Sequence, residues 1–537
     1  MIVVPPRDAK RVSRFAAPPW NENSEPWLEL DAQLPPTHLA REIRGAMTHL
    51  DLTPLYLTYG RRGKSPHPPD LMLAIVLFER RRGQRKPSQW YRDTQENVAL
   101  WWLGFGIRPS RSCWYEFRDR IGGCLDTLNT TVLHQAVAEE LTTAKRGALD
   151  GSAVAANASR RRLLNEEQLA NRLEQLGAVA EDEAEGEETG ELPGWMGKTP
   201  TGRRRQQDRY GQAQEQLVVL QAANAQRPPS QRREPHKVVI SPGDPEAALG
   251  LDKDHVFRPL YTVQTIRDVD SPLILAYEVF AQPSDAATLL PMLGRLHQLT
   301  GRTLNDLLVD CGYVTGMDLS DCQVQGVTLY GPWKANDWSR PKTPKRFEKD
   351  RFIWHAERDA YECPAGHLLE RVSSHTRVCS GGREVMEWTY RGDADTCQAC
   401  PLRAPCTTSQ KSGRSVQRSE HDDLIVAHRA WMETPEAKAV YRLRGQTIEI
   451  VFADVKEHLG LRRFSGHGLT RVRAEFALDV LLHNILVVHR SLSQRLNREA
   501  INDKCLCTNN FTCYHGSSRC HTRCDDDLVS HVEPSTR

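Results

Sequence analysis

Residues 259–282 read PLYTVQTIRDVDSPLILAYEVFAQ, and this stretch decides the fold class. Two runs rich in β-branched and aromatic residues flank the turn-rich RDVDSP, which is the pattern of a β-hairpin. Next, DAATLLPMLGRLHQL (285–299) places Leu289, Leu290, Leu293 and Leu296 on one side of a helix. Leu307, Leu308 and Val309 then read as a buried strand and VTLYG (327–331) as a second, with a helix between them. Strands first, followed by helices alternating with strands, predict an α/β core.

Upstream of this core the chain reads as helical from Leu39, Ile43 and Met47 onward, a spacing that gives one buried face. Asp70 precedes the apolar run LMLAIVLFERRRG, whose basic last turn and Gly83 mark a helix end. Ser88 is placed to cap a further helix carrying Trp90, Tyr91, Val98, Trp101 and Trp102, and SCWYEFRDRI adds Trp114, Phe117 and Ile121. These aromatics read as packing core before they read as surfaces for stacked bases.

Bulk properties narrow the class of function. With 537 residues the chain has room for about three domains. A net charge of +2 hides Arg160, Arg161 and Arg162 set against an acidic run from Glu181 to Glu188, so global charge says little about partners. No apolar stretch is long enough to span a bilayer and the start lacks a secretory signal, which predicts a cytoplasmic protein without a membrane partner. Fourteen cysteines in such a protein argue for free thiols or metal ligands over disulfides.

Two aspartates close apolar steps. Asp150 follows Ala148 and Leu149, and Asp310 follows Leu307, Leu308 and Val309, so buried strand residues deliver each carboxylate to a strand end, where open α/β sheets form sites. Either residue alone would equally suit a turn or a helix cap.

Three strings, LDGSAVAANAS (149–159), LLVDCGYVTG (307–316) and RGQTIEIVFADVKEHLGLRRFSGHG (444–468), together resemble DDE transposases of bacterial insertion sequences. GRRGKSPHPPDLMLAIVLF (60–78) and SCWYEFRDR (112–120) look like the helical domain that these enzymes carry, and the resemblance spans roughly residues 35 to 490. It implies a ribonuclease-H-like mixed sheet flanked by helices, an all-α N-terminal domain and a small zinc-binding insertion. It also implies that Asp150, Asp310 and Glu449 are the catalytic acids and hold two Mg²⁺ or Mn²⁺ ions. Asp268, Asp270 and Asp285 compete for these roles but fit a hairpin turn and a helix start better.

Lys456 lies seven residues after Glu449, nearly on the same side of a helix, where its charge suits a DNA phosphate. The family's arginine four residues before the glutamate is Gly445 here, with Arg444 or Arg442 as substitutes, and Thr262 stands where relatives usually have Asn. Arg160, Arg161 and Arg463 complete the expected DNA contacts.

The expected organisation is an arm at 1–34, a helical DNA-binding domain at 35–145, and a catalytic domain at 146–333 and 416–490 with a charged flexible insertion at 160–235. A cysteine-bearing insertion at 334–415 and a disordered tail at 491–537 complete the chain. Cys363, Cys397, Cys400 and Cys406 have the residue types and spacing of a structural Zn²⁺ site, with His367 or Cys379 as possible replacements for one ligand. In the tail, Cys505, Cys507, Cys513, Cys520 and Cys524 lack any hydrophobic period around them.

The resemblance thus implies an enzyme that binds the terminal inverted repeats of its element, cleaves DNA by metal-assisted hydrolysis and transfers the strand, acting as a homo-oligomer in a synaptic complex. The alternative is an inactive or domesticated sequence-specific DNA-binding protein.

Overall fold

The computed structural model describes residues 15–60, 63–185, 191–227, 229–333, 347–379, 382–453, 456–457 and 459–510, without the side chains of 449–453 and 499–510. The chain divides into Met1–His489 and Arg490–Arg537. In the second unit the described residues, 490–510, belong to the helix Leu469–Asn510, where a disordered tail was expected from 491. Its leucines and arginines, with Gln494 and Ala500, are good helix formers. Residues 511–537, including Cys513, Cys520 and Cys524, lie outside the described residues, as do 1–14 of the expected arm.

The larger sheet has six strands: β1 (Arg146–Ala155), β2 (Ala248–Leu251), β3 (Phe257–Asp268), β4 (Ile274–Phe280), β5 (Asp306–Leu308) and β6 (Thr328–Tyr330). Their order is β2–β3–β1–β5–β6, with β4 also paired to β3. The hairpin read in 259–282 is present, with Thr262 opposite Phe280 and Thr265 opposite Tyr277. β3 runs antiparallel to β1, whereas β5 and β6 run parallel to it, making the sheet mixed. Leu149, Val154, Leu260, Val263, Ile266, Leu307 and Leu308 form its buried interior. β1 is longer than the apolar step Ala148 and Leu149 suggested: Asp150 sits mid-strand, and Asp310 lies two residues beyond β5.

Among the described residues eight helices precede β1. Pro69–Arg81 is buried from Met72 to Arg80, so it is a core element of the body and not a surface helix. Pro87–Glu96 starts one residue before Ser88, with Lys86 at its N-cap position and proline at its first turn. Trp90, Trp102, Trp114, Phe117 and Ile121 are core, while Tyr91 and Val98 are exposed.

These helices are bolted to the C-terminal helix by buried charge. Arg80 Nε donates to Asp479 Oδ1 at 2.8 Å, and Arg85 donates to Glu475 Oε1, Asp479 Oδ2 and the Leu459 carbonyl, each at 2.8 Å. Burial works against the Glu475 carboxylate, and the Arg85 and Arg80 guanidinium groups overcome it, holding its pKa below the usual range.

The charged stretch between β1 and β2 is more ordered than its composition suggested. Glu166–Glu185 and Pro200–Ala225 are two long helices. Leu169, Leu176, Met196, Tyr210 and Leu217 pack between them with Leu164 and Ile240. The apolar residues are sparse along the chain and form a core only once the helices pair.

Residues 353–419 build a five-stranded antiparallel sheet: β7 (Ile353–His355), β8 (Ala360–Glu362), β9 (Leu368–Val378), β10 (Glu384–Gly392) and β11 (Ser415–Ser419). Phe352, Tyr361, Leu369, Tyr390 and Val416 are its small core. Asp422–Met432, Pro435–Tyr441 and Leu443–Ala453 then lead back to the larger sheet as helices.

Candidate functional site

Parallel pairing of β1 with β5 puts Ala148 opposite Leu308, and two residues further along the strands stand Asp150 and Asp310. Asp150 Oδ1 accepts from the Gly151 amide at 2.8 Å, and Asp310 Oδ1 accepts from the Gly312 amide at 2.7 Å. A Cβ on Gly312 would lie 2.9 Å from that oxygen, so a residue without a side chain lets the turn close on Asp310.

Burial raises the Asp150 pKa above the usual carboxylate value and the nearby Asp310 charge raises it further, against the Gly151 bond and Arg444. Two half-buried like charges held together favour a bound cation.

Helix Leu443–Ala453 packs on β1 and β3. The Thr447 carbonyl accepts from Arg267 on β3, and Ile448 is fully buried, so the helix backbone that carries Glu449 is fixed against the sheet. The Glu449 side chain itself lies outside the described residues. Arg444, one turn earlier, reaches Asp150, its Nη2 3.4 Å from Oδ2. Arg442 is exposed at the end of the preceding helix.

Orphaned polar atoms surround Asp150. Thr265 pairs directly across from it on β3, and Ser152 is two residues along on the same strand face; both hydroxyls are buried without a partner, as is Arg444 Nε. Hard oxygen donors, mutual carboxylate repulsion and unpartnered hydroxyls together fit a divalent cation. No group of three or more His, Cys, Asp or Glu side chains is arranged to hold a metal among the described residues, from which the Glu449 carboxylate is absent.

Two lysines, Lys253 and Lys456, act electrostatically on Asp150. Lys456 is half-buried, and burial lowers its pKa, as do the neighbouring Lys253 and Arg462 charges. Lys253 stands exposed in the turn between β2 and β3, where Asp252 Oδ1 accepts from the Asp254 and Val256 amides at 2.9 Å. Its charge also acts on Asp150 and Asp285. Arg160 and Arg161 are exposed just past the end of β1. There the Ala155 carbonyl accepts from the Phe464 amide at 2.9 Å and brings exposed Arg463 alongside.

The sequence reading missed Lys253 and Tyr441, both of which lie in the electrostatic field of Asp150. It also set Asp285 aside, yet this carboxylate reaches the back of the same site, accepting from Gln264 Nε2 at 2.6 Å. Asp268 and Asp270 stay at the β3–β4 turn: Asp268 Oδ2 accepts from Thr142 and Ser271, and Asp270 pairs with Arg146.

The four cysteines proposed for zinc converge on one cavity of about 190 Å³, lined also by His367, Thr396 and Arg414. Cys406 has its pKa raised by burial and then by the nearby Cys397, Cys363 and Cys400 thiols. Cys379 instead lines a different cavity, of about 500 Å³, beside Arg377 and Arg383. All nine cysteines whose side chains are described are free, and among the described residues these thiols form no metal-holding group as they stand.

Residues 362–489 match the family model described as "Transposase DDE domain". The matched segment includes the helix with Glu449 and the insertion cysteines, but stops short of Asp150 and Asp310. No curated protein and no solved structure matches the chain. The match supports a DDE transposase and, with it, DNA as a partner. Among the described residues no helix is long and apolar enough to cross a membrane.

Proposed function

We propose that this chain is the transposase of a bacterial insertion sequence, cutting the element's inverted-repeat ends and joining them to target DNA. One observation carries the reading: Asp150 and Asp310 meet beside a helix that bears Glu449, and that helix lies within the segment matching the transposase family. The mixed sheet, with parallel β1, β5 and β6 and antiparallel β3, supports a ribonuclease-H-like catalytic domain.

Asp150, Asp310 and Glu449 would hold two Mg²⁺ or Mn²⁺ ions. Such ions, when bound, polarise the attacking oxygen and neutralise the leaving one. The chain's own residues bind and orient the substrate: Arg444, Lys456 and Arg463 take phosphates at the site, and Arg160 and Arg161 extend the track past β1. Association of two ends requires a dimer or larger assembly. Function on chromosomal DNA places the protein in the cytoplasm.

Cys363, Cys397, Cys400 and Cys406 would hold a structural zinc ion, supported by their shared cavity and by the soft thiolate donor set. Four thiolates leave no open position for catalysis, so the ion would serve to fasten the insertion.

The test is cleavage of a labelled duplex carrying the element's own end, with and without Mg²⁺, comparing the wild type with Glu449→Gln and Asp150→Asn. Metal-dependent nicking by the wild type that both variants lose, with end binding retained, supports the reading. Binding without cleavage by the wild type would identify an inactive DNA-binding protein instead.

A further inference from the structure

Behind the paired aspartates runs a buried chain of hydrogen bonds. Gln264 on β3 is fully buried and sits opposite Gly151, the residue after Asp150. Its Nε2 donates to Asp285 Oδ1 at 2.6 Å, and its Oε1 accepts from the Tyr313 hydroxyl at 2.6 Å. Tyr313 is buried too, and its backbone amide donates to the Asp310 carbonyl at 3.3 Å. The chain therefore starts against the Asp150 strand and ends in the turn that presents Asp310.

Asp285 is not spent on capping the helix that follows it. That helix, Leu289–Thr300, has Thr288 at its N-cap position with no side-chain cap bond. Asp285 supplies only its backbone carbonyl there, to the Thr288 amide at 3.3 Å and hydroxyl at 2.7 Å. Its carboxylate turns back to Gln264 instead. An ionised carboxylate only accepts, so it fixes which end of the Gln264 amide faces it and leaves the carbonyl for Tyr313.

Gly151 bears the imprint of this arrangement. A Cβ at that position would lie 2.3 Å from both Asp285 Oδ1 and Gln264 Nε2. The pair closes on the strand in the space that any side chain would need.

We propose that Asp285 is a positioning residue which, through Gln264 and Tyr313, sets the placement of Asp310 relative to Asp150 for metal binding. The inference rests on the reading of those two aspartates as metal ligands. It assigns Asp285 no contact with the metal or with DNA.

The experiment measures Mn²⁺ binding by the full-length chain, from the electron paramagnetic resonance signal of free Mn²⁺, alongside end cleavage. Asp285→Ala and Tyr313→Phe should each weaken Mn²⁺ binding about 10-fold or more, the scale of outer partners that orient ligands. Asp285→Asn keeps an acceptor for Gln264 and should restore binding close to the wild type. Tyr313→Phe removes one hydroxyl with the ring retained, which guards against a variant that merely fails to fold.

Wild-type Mn²⁺ affinity in Asp285→Ala would overturn the proposal, as would an Asp285→Asn chain that folds but binds as weakly as Asp285→Ala. A wild type that binds Mn²⁺ without cutting end DNA would sink the transposase reading and leave the brace to be judged by the Mn²⁺ data. A wild type that binds no Mn²⁺ would overturn both.

Discussion

Arg444 Nη2 stands 3.4 Å from Asp150 Oδ2, in contact with a carboxylate proposed to hold metal. Both side chains are largely shielded, and the guanidinium Nε has no partner. The arginine supplies counter-charge to Asp150, and its planar fork suits a phosphate better than an ammonium would. Arg444→Ala should slow end cleavage about 100-fold, the scale of losing one donor to developing charge. It should also reduce the salt slope of end binding by about 1. Single-turnover cleavage and binding titrated across salt check both; unchanged cleavage would leave Arg444 with a structural role alone.

The aspartates were legible because each follows a run of apolar strand residues, a local signal. Asp285 was not, since its proximity to Gly151 arises only when β3 pairs with β1 and the following helix turns back. A trace was present in QPSDAAT, where Ser284, Asp285 and Thr288 offer more capping side chains than one helix start uses. Lys253 left no comparable trace, because an exposed lysine in a hairpin turn reads as a solvated charge.

Glu79 predicts a pH dependence in the helical region. It is fully buried on the helix Pro69–Arg81, with Oε2 unpartnered. Burial pushes its pKa up to about 8, Asp93 adds to the rise, and Arg82 opposes it. A raised folded-state value means that this group's contribution to stability is fully present below the unfolded value of 4.5 and is lost as pH climbs through about 8. Glu79→Gln should therefore match the wild type near pH 4 and exceed it by on the order of 2 to 5 kcal/mol at pH 9. Urea unfolding at the two pH values measures this; equal stability at pH 9 would mean that Glu79 ionises without penalty.

The buried ion cluster ties the helical N-terminal region to the helix Leu469–Asn510. Asp479 is fully buried between Arg80 and Arg85, so Asp479→Ala leaves two buried guanidinium groups sharing the one carboxylate of Glu475. Loss of one partner from such a cluster costs about 3 to 5 kcal/mol. Because Arg85 also holds the Leu459 carbonyl and Glu475 holds the Ser465 and Gly466 amides, the segment after Lys456 should loosen as well. The measurement is the urea midpoint together with hydrogen exchange across 459–468. A loss under about 1 kcal/mol would show that the cluster is solvated in solution.

Hairpin β3–β4 was readable from its β-branched and aromatic residues, and strands β5 and β6 from their contiguous apolar residues. Elsewhere the period was missing. β9 is exposed at nearly every position, so its sequence LLERVSSHTRV carries no inward face, and pairing with β10 and β8 holds it as a strand. Asp150 was expected to end its strand because it closes the apolar step Ala148 and Leu149 and small residues follow; ladder pairing of Gly151, Ser152 and Ala153 with Gln264, Val263 and Thr262 extends β1 through them.

The insertion offers the sharpest test of metal dependence. Among the described residues its core cluster holds five buried side chains, with Phe347, Trp354, Trp388, Cys363 and Cys406 packed against it, which is little apolar burial to hold five strands. Zinc bound by Cys363, Cys397, Cys400 and Cys406 would tie the helix Ala394–Ala399 and the Arg403–Cys406 turn to the β8–β9 corner, linking ends that the core does not cover. The purified chain should then contain one zinc per molecule by elemental analysis. Cys397→Ser with Cys400→Ser, or a strong chelator, should remove it and raise hydrogen exchange from about residue 353 to 419 while the β1–β3 ladder stays protected. A chain that carries no zinc, and whose insertion is as protected with chelator as without, would show that the four thiols line an apolar pocket and nothing more.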